Sequence, residues 1–235
     1  MNAKIANEGA STYVLSEAIL LYKVKATYAT EAIAMSHPIH HSTDGAVLGA
    51  GRVVTEGLAS ALLEQFQQHP LTYVQPEIVA SGSDAMAWWE PAQQRTLYFS
   101  VKDPAVQKLD GQSIPTPALV FIARRNSLSI FALAESARPT ADTKLYHAPF
   151  YNIYDNGMMC IGSTLLPKTV DRGDTRAWSN GFFASSFTHV SGRAARWTHH
   201  GSYAELLSEA IAAGAHRTEW LVPTKLTLSE AVCGK

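Results

Sequence analysis

The chain has 235 residues, of which 46% are hydrophobic and 17% are charged, a composition that excludes a disordered protein and suits one large domain with a packed core. A formal net charge of −1 excludes a broadly basic surface, so we expect no nucleic acid among its partners and expect Arg193 and Arg196 to be solvated. The two cysteines, Cys160 and Cys233, lie far apart and do not make the disulfide framework of a small secreted protein.

Features of membrane, secreted and metal-binding proteins are missing from the sequence pattern. No apolar run is long enough to span a bilayer, and the first residues do not predict a signal peptide. We therefore expect a cytoplasmic protein that has no membrane partner. The histidines of "HPIHH" (37–41), and His199 with His200, do not follow the spacing of zinc ligands, so we interpret them as polar-loop residues and expect no metal.

The first part of the sequence predicts an N-terminal extension, residues 1–53, that packs on a core domain formed by residues 54–235. In the extension, "AILLYKVKATYA" (18–29) and "EAIAMSHPIH" (31–40) have the composition of strands or of a hairpin. The core domain begins with "TEGLASALLEQFQQHP", in which apolar residues recur at helical spacing up to a proline. This pattern predicts an amphipathic helix over residues 55–68.

The middle of the chain is rich in strand patterns. "AMAWWEP" and "RTLYFSV" lie on either side of a short polar link, and the second alternates apolar and polar side chains. Further on, "ALVFIARRNSLSIFALAE" predicts a hairpin that turns near Asn126, because asparagine tolerates the left-handed conformation of tight turns. These four strands predict an antiparallel meander, in which one of Trp88 and Trp89 faces the core and the other faces outward.

Helices are predicted in the last third of the chain. "DTRAWSNGFFASSFTHV" offers Asp174 as an N-cap, and "SYAELLSEAIAAGAH" combines a Ser202–Glu205 capping box with Gly214 at the C-cap position. The tail after these helices has no pattern that we can assign. The predicted fold class is therefore α+β: a helix, a four-stranded antiparallel meander, an irregular segment and C-terminal helices, with an N-terminal extension.

The irregular segment contains the strongest chemical signal, around Cys160. A nucleophilic cysteine needs a thiolate, an exposed position and a donor for the oxyanion, and a free thiol with a pKa of about 8.5 supplies some thiolate without a dedicated base. Asn152 offers a side-chain amide as that donor, and Asn156-Gly157 is a turn signal that can fold it back toward Cys160. The other interpretation is a buried cysteine that packs beneath the sheet, while Asn152 caps its own loop.

The same residues carry a resemblance to a known family. The stretch "NIYDNGMMCI" (152–161) resembles the active-site signature of ubiquitin-conjugating enzymes, in which His-Pro-Asn-Ile precedes a glycine-bearing turn and the thioester cysteine. The order of the predicted elements is also similar to that of this family. The resemblance implies a ubiquitin-conjugating fold in which Cys160 accepts a ubiquitin-like protein as a thioester and Asn152 donates to the oxyanion. It implies no organic cofactor, because the ATP chemistry would belong to an activating partner.

The sequence departs from the family pattern on both sides of Asn152. Phe150 and Tyr151 stand where the family has its His-Pro pair, and His147 lies slightly upstream. No acidic residue stands at the distance after Cys160 where many conjugating enzymes orient the attacking lysine. The candidates for an auxiliary role are therefore His147, Tyr151, Asp155 and His189.

Within the superfamily, the total length, the N-terminal extension and "NGMMCIG" resemble the bacterial branch called PRTRC system protein B. That resemblance implies a largely plasmid-borne cassette and, as partners, a ThiF-like activating enzyme, a ubiquitin-like protein and a JAB-type peptidase. The helix over residues 55–68 would then help to dock the activating enzyme. Two alternatives stay open: an inactive adaptor of the same fold that binds the ubiquitin-like or activating protein, and a cysteine hydrolase that pairs Cys160 with His147 or His189.

Overall fold

The computed structural model describes residues 14–23, 32–43, 45–66, 74–82, 84–170 and 174–234. The chain divides into two compact units, Met1–Thr72 and Tyr73–Lys235. The predicted helix over residues 55–68 therefore falls within the first unit, and the segment around Cys160 falls within the second.

The first unit is a small antiparallel sheet followed by a helix. Its elements are β1 (Glu17–Lys23), β2 (Ala32–Ser42), β3 (Gly45–Leu48), β4 (Arg52–Val53) and α1 (Glu56–Phe66). The long strand β2 pairs with each of the other strands. The two predicted strands are thus confirmed as an antiparallel pair, and the predicted helix is present over Glu56–Phe66. Residues 24–31 and 67–68 of these predictions lie outside the described residues.

The histidine run in this unit lies in a strand and not in the polar loop that its composition predicted. "HPIHH" falls within β2, where His37 is buried while His40 and His41 are exposed. The His37 ring has polar partners on both sides, since Tyr22 Oη lies 2.9 Å from Nε2 and the Gly49 carbonyl oxygen lies 2.9 Å from Nδ1. Composition alone missed this because the partners come from β1 and from the residues after β3.

The second unit contains a six-stranded antiparallel sheet, a three-stranded sheet and most of the helices. In chain order its elements are β5 (Ile78–Ser81), β6 (Ala85–Glu90), β7 (Gln93–Phe99), α2 (Pro104–Gln107), β8 (Gln112–Thr116), β9 (Leu119–Arg124), β10 (Ser127–Ala132), β11 (Lys144–His147), α3 (Thr175–Phe183), β12 (Ser186–Phe187), α4 (Tyr203–Ala213), a 3-10 turn (Thr218–Trp220), β13 (Pro223–Thr227) and α5 (Leu228–Cys233). The strand orders are β13-β11-β10-β9-β6-β5 and β12-β7-β8. The fold class is α+β, as predicted.

The predicted four-stranded meander is wrong in two of its three pairings, because β7 pairs with neither β6 nor β9. β6 pairs with β9, with Trp88 opposite Phe121, while β7 pairs with β8 in the smaller sheet. The physical reason is that a central strand of the large sheet is buried on both faces. β9 is apolar on both faces, whereas β7 begins with exposed glutamines. The predicted hairpin at Asn126 is confirmed, because β9 and β10 pair in register from Arg124 opposite Ser127.

Both faces of the large sheet are buried. The side chains of β9 alternate between two cores, since Phe121 lies in the larger hydrophobic cluster and Val120 and Ile122 lie in the smaller one. The larger cluster also contains Trp178 of α3 and Leu206 of α4, which are fully buried. The helices that follow the segment around Cys160 therefore share a core with one face of the sheet.

The second face of the large sheet is covered by the tail of the chain, which the sequence left unassigned. Leu228 of α5 lies in the smaller cluster, and the Arg124 guanidinium donates to the Ala231 and Val232 carbonyl oxygens at 3.1 and 3.0 Å. Trp89 packs against this cluster, so the prediction that one of the paired tryptophans faces outward is wrong. The reason is that α5, which is distant in sequence, provides the cover.

The predicted ends of α4 are confirmed. Ser202 Oγ accepts from the Glu205 backbone N–H, the Glu205 carboxylate accepts from the Ser202 N–H, and Gly214 takes the left-handed conformation with φ 68°. Asp174 occupies the N-cap position of α3, although its side chain makes no capping hydrogen bond. No helix within the described ranges has the length and apolar character needed to cross a membrane.

A partly buried histidine after α4 makes stability depend on pH. Among the described residues neither ring nitrogen of His216 has a hydrogen-bond partner, and the ring packs edge-on against Trp220 with centroids 5.5 Å apart. Burial lowers the pKa of His216 from 6.5 to about 4. Between these values the unfolded chain binds a proton that the folded chain does not, so stability is full above pH 6.5 and is lost as the pH falls toward 4.

Acidification from about pH 7 to about pH 4 should lower the free energy of unfolding of the His216→Phe variant less than that of the unchanged protein. We expect the two losses to differ by on the order of 3 kcal/mol. Urea unfolding at a series of pH values measures the difference between the variant and the unchanged protein. The matched control is His200→Phe, at an exposed histidine of the same unit, which should keep the original pH dependence. The same pH dependence in the His216→Phe variant would contradict this role.

Candidate active site

A tight hairpin brings Asn152 and Cys160 together. The Cys160 N–H donates to the Asn152 carbonyl oxygen at 2.7 Å, and the Tyr154 N–H donates to that of Met158 at 2.8 Å. Gly157 closes the turn in the left-handed conformation with φ 84°, and its N–H donates to the Tyr154 carbonyl oxygen at 2.9 Å. The predicted turn is therefore present, and it places the two candidate residues opposite each other.

The hairpin is attached to the large sheet through β10. The Ile130 N–H donates to the Gly157 carbonyl oxygen at 2.8 Å, and the Met159 N–H donates to that of Leu128 at 2.8 Å. A Cβ atom at Gly157 would lie 2.4 Å from the Phe131 ring, so both the space and the positive φ require glycine. The backbone of the candidate site is thus fixed by a buried strand.

Asn152 is buried, and hydrogen bonds fix the orientation of its amide. Its Nδ2 donates to the Ser186 carbonyl oxygen at 2.8 Å, while Oδ1 accepts from the Thr188 N–H at 3.1 Å and from Thr188 Oγ1 at 2.9 Å. Its backbone φ is +60°, a left-handed conformation that asparagine adopts more readily than most residues. The amide group carries a second N–H beyond the one that Ser186 accepts.

Cys160 is half-buried and lines a cavity of about 620 Å³ together with Asn152 and His189. Small residues such as Gly181 and Ser185 line the same cavity. A buried cysteine beneath the sheet is therefore not what the structure contains. Cys160 borders a space large enough for a bound chain segment, and Asn152 lies on the wall of the same space.

Tyr154 is a contact of Cys160 that the sequence analysis missed. Its hydroxyl donates to Cys160 Sγ at 3.2 Å. Both side chains reach solvent, since Tyr154 is 44% exposed and Cys160 is half-buried. The signal that would have found it is hairpin spacing: Asn152 pairs with Cys160, and residues two apart share a face of a strand.

The two candidate histidines have other partners. His189 Nδ1 lies 2.9 Å from Thr188 Oγ1, and His189 Nε2 lies 3.3 Å from Ser191 Oγ. Arg196 Nη1 donates to Nδ1 of His147 at 3.3 Å, and burial followed by the charge of Arg196 lowers the pKa of His147. Within the described part of the chain neither imidazole hydrogen-bonds to Cys160 Sγ, although His189 lines the same cavity.

Asp155 is an anchor for the loop that follows β12. Its carboxylate accepts from the Arg193 N–H at 2.9 Å, from the Ala194 N–H at 3.0 Å and from Arg196 Nη2 at 2.9 Å. The backbone N–H groups of Arg193 and Ala194, followed by Arg196, hold the pKa of Asp155 below its usual value. Asp155 therefore stays ionised, and its carboxylate holds the loop after β12 against the hairpin.

Arg196 is buried, and the prediction that it is solvated is wrong. Its Nη2 donates to the Ile153 carbonyl oxygen at 2.8 Å and to the Ser191 carbonyl oxygen at 2.7 Å, in addition to Asp155. The side chain thus ties the hairpin to the loop after β12. Sequence reasoning missed this because all of these acceptors except Ser191 are distant in the chain.

The residues that stand in place of the family's His-Pro pair are packing residues. Phe150 is 2% exposed and contacts a cluster of phenylalanines, with ring centroids 5.7 Å from both Phe182 and Phe183. Tyr151 packs against Tyr203 with centroids 4.6 Å apart, and burial raises the pKa of Tyr151. Neither side chain hydrogen-bonds to Cys160 among the contacts of the described residues.

The described ranges contain no group of three or more His, Cys, Asp and Glu side chains placed to hold a metal ion. The groups nearest to Cys160 across the hairpin are an amide and a phenol, and the His189 imidazole lines the same cavity. These groups suit nucleophilic acyl transfer, in which the sulfur carries the acyl group and neutral donors stabilise the charge that develops.

Comparison with known proteins gives one match. No curated protein and no solved structure matches the chain. The family model described as prokaryotic E2 family D matches residues 55–222, a span that includes α1, the large sheet up to β11, the hairpin with Asn152 and Cys160, and α4. Because this match covers well over half of the chain, the protein belongs to prokaryotic E2 family D, a bacterial family of proteins like the ubiquitin-conjugating enzymes.

Proposed function

We propose that this protein accepts a ubiquitin-like protein as a thioester on Cys160, from a ThiF-like activating enzyme, and passes it on. The observation that carries the proposal is the juxtaposition of Cys160 and Asn152 across the hairpin, at the wall of a cavity of about 620 Å³. Membership of prokaryotic E2 family D supports it. The absence of a hydrogen-bonded histidine, within the described residues, favours transfer over hydrolysis.

Thioester exchange requires mainly that the protein position the thiolate and an oxyanion donor beside the incoming carbonyl group. The Cys160 thiolate attacks the carbonyl carbon of the incoming thioester, a new C–S bond forms, and the cysteine of the activating enzyme leaves as a thiolate. The Asn152 amide would supply its second N–H to the oxyanion of the tetrahedral intermediate. Since one thioester replaces another, no metal or organic cofactor is needed at this site, and ATP is consumed by the partner.

The finer assignment we propose is the branch called PRTRC system protein B. The resemblance of "NGMMCIG" and the presence of elements before residue 55 support it. It would place the protein in a plasmid-borne cassette with a ubiquitin-like protein and a JAB-type peptidase, and would give the region of α1 the task of docking the activating enzyme.

The test is reconstitution with the activating enzyme, the ubiquitin-like protein and ATP. We expect an adduct that thiol reductants remove, that is lost completely in Cys160→Ala, and that becomes resistant to reductant as an oxygen ester in Cys160→Ser. The matched control is Cys233→Ser, at the exposed second cysteine, which should form the adduct normally. Gel electrophoresis without and with reductant reads out each case, and no adduct with the unchanged protein would refute the proposal.

A second candidate is an adaptor of the same fold that binds the ubiquitin-like or activating protein and performs no transfer. Two observations favour it: the Asn152 amide donates to Ser186, and Phe150 and Tyr151 replace the His-Pro pair of the active family signature. The adaptor predicts that Cys160→Ala binds both partners with unchanged affinity and that the unchanged protein forms no adduct. The same reconstitution therefore separates the two functions.

A further inference from the structure

The hydrogen bond from Tyr154 to Cys160 has no place in the function proposed so far. Tyr154 Oη lies 3.2 Å from Sγ and makes no other hydrogen bond among the described residues. The phenol is 44% exposed, so neither core packing nor a buried polar network requires the hydroxyl group. The contact therefore points to the sulfur itself, which is the atom that would react.

We propose that Tyr154 is a catalytic residue of the acyl transfer, whose hydroxyl group donates a hydrogen bond to the Cys160 sulfur whenever that sulfur carries negative charge. This role rests on the proposed function. A thiolate is a much better acceptor than a thiol or a thioester sulfur, because hydrogen bonds to charged groups are the stronger ones. The hydroxyl group would thus stabilise the attacking thiolate when the acyl group arrives and the leaving thiolate when the acyl group departs.

The bonds and protons balance without proton transfer from the tyrosine. In loading, the Cys160 thiol has given its proton to solvent, the C–S bond forms, and the thiolate of the activating enzyme leaves. In discharge, an amine attacks the thioester carbon, the nitrogen loses one proton to solvent, the C–S bond to Cys160 breaks, and the electron pair stays on the sulfur. Tyr154 donates to the sulfur in both steps and keeps its proton.

The environment of Tyr154 supports a pure donor role. The hydrogen bond to Cys160, and then the charge of its thiolate, raise the pKa of Tyr154 above its ordinary value of 10.0. The phenol therefore remains protonated at neutral pH. Because the ring lies at the surface, it can also turn aside when the acyl group occupies the space beside the sulfur.

Thiol alkylation tests this proposal without any partner protein. In a Cys233→Ser background, Cys160 is the one remaining cysteine, and its reaction with iodoacetamide can be followed by mass spectrometry from about pH 5 to about pH 10. The informative variant is Tyr154→Phe, which keeps the ring and removes the hydroxyl group. The matched control is Tyr98→Phe, because Tyr98 is also 44% exposed and lies on β7 in the same unit.

We expect the pH profiles of Tyr154→Phe and the background protein to cross. Loss of a donor to the thiolate should reduce the fraction of Cys160 that is thiolate near neutral pH, while the thiolate that does form becomes intrinsically more nucleophilic. With a Brønsted coefficient of about 0.4–0.5, these effects combine to about threefold slower alkylation near pH 7 and about threefold faster alkylation on the alkaline plateau. Tyr98→Phe should match the background protein throughout.

Two results would overturn the proposal. A Tyr154→Phe profile that coincides with the background profile means that the contact does not act on the thiolate. A variant that is faster at every pH means that the phenol merely shields the sulfur, because improved access does not lower the thiolate fraction. Either result leaves the Cys160 adduct with the activating enzyme untouched, so failure here is distinguishable from failure of the proposed function.

Discussion

Replacing Asn152 with glycine is expected to slow discharge of a Cys160 thioester to an amine by about 100-fold or more, the usual cost of losing one oxyanion donor. Glycine is the informative substitution because it adopts the observed φ of +60° without strain, so that the backbone of the hairpin is preserved. The amide is lost together with its bonds to Ser186 and Thr188. A single-turnover assay on preloaded protein isolates discharge from loading.

The slower discharge of Asn152→Gly would come partly from the lost oxyanion donor and partly from the lost hydrogen bonds to Ser186 and Thr188. A control variant separates these two effects. Thr188→Val removes the hydroxyl group that donates to Asn152 Oδ1 and leaves the Thr188 backbone N–H in place. One neutral hydrogen bond contributes about 0.5–1.5 kcal/mol, so this variant should discharge less than about tenfold more slowly. Unchanged discharge in Asn152→Gly would show that the amide only anchors Ser186 and Thr188 and does not act on the oxyanion.

The parts of the fold that sequence could predict are those whose signals are local. The capping box of α4 needs only Ser202 and Glu205, and the hairpin between β9 and β10 needs only a turn residue between two apolar runs. The turn at Gly157 is of the same kind, since a short segment closes on itself. In each case the interaction energy and the chain-closure entropy are set by neighbours in sequence.

The parts that sequence could not predict depend on contacts between distant segments. β6 pairs with β9 and not with β7, because β9 has two apolar faces to bury. The second face of the large sheet is buried only because α5, from the end of the chain, packs against it. Arg196 gave no local signal for burial, because its acceptors at Ile153 and Asp155 come from another part of the chain. Tyr154 has a local signal of a different kind, because its contact with Cys160 follows from strand alternation inside a segment whose composition is that of a turn.

Replacing Arg196 with methionine is expected to destabilise the protein by about 3 kcal/mol, because the substitution leaves buried acceptors without a donor. The side chain is 1% exposed, and it donates at 2.8 Å to Ile153 and at 2.7 Å to Ser191. The ion pair with Asp155 adds less, since that carboxylate is 46% exposed and keeps its bonds to backbone N–H groups. Urea unfolding measures the change in the free energy of unfolding.

The control for this prediction lies three residues away. The Arg193 side chain is exposed, and its bond to Asp155 comes from the backbone N–H, so Arg193→Met should change stability by less than about 0.5 kcal/mol. Arg196→Lys keeps the charge but lacks the planar guanidinium group that reaches several acceptors. Its free energy of unfolding should therefore lie between those of Arg196→Met and Arg193→Met. Hydrogen exchange adds a local readout, because the Cys160 amide that donates to Asn152 should exchange faster once the hairpin is released from the loop after β12. If Arg196→Met were as stable as Arg193→Met, the bonds from the buried guanidinium to Ile153 and Ser191 would not stabilise the fold.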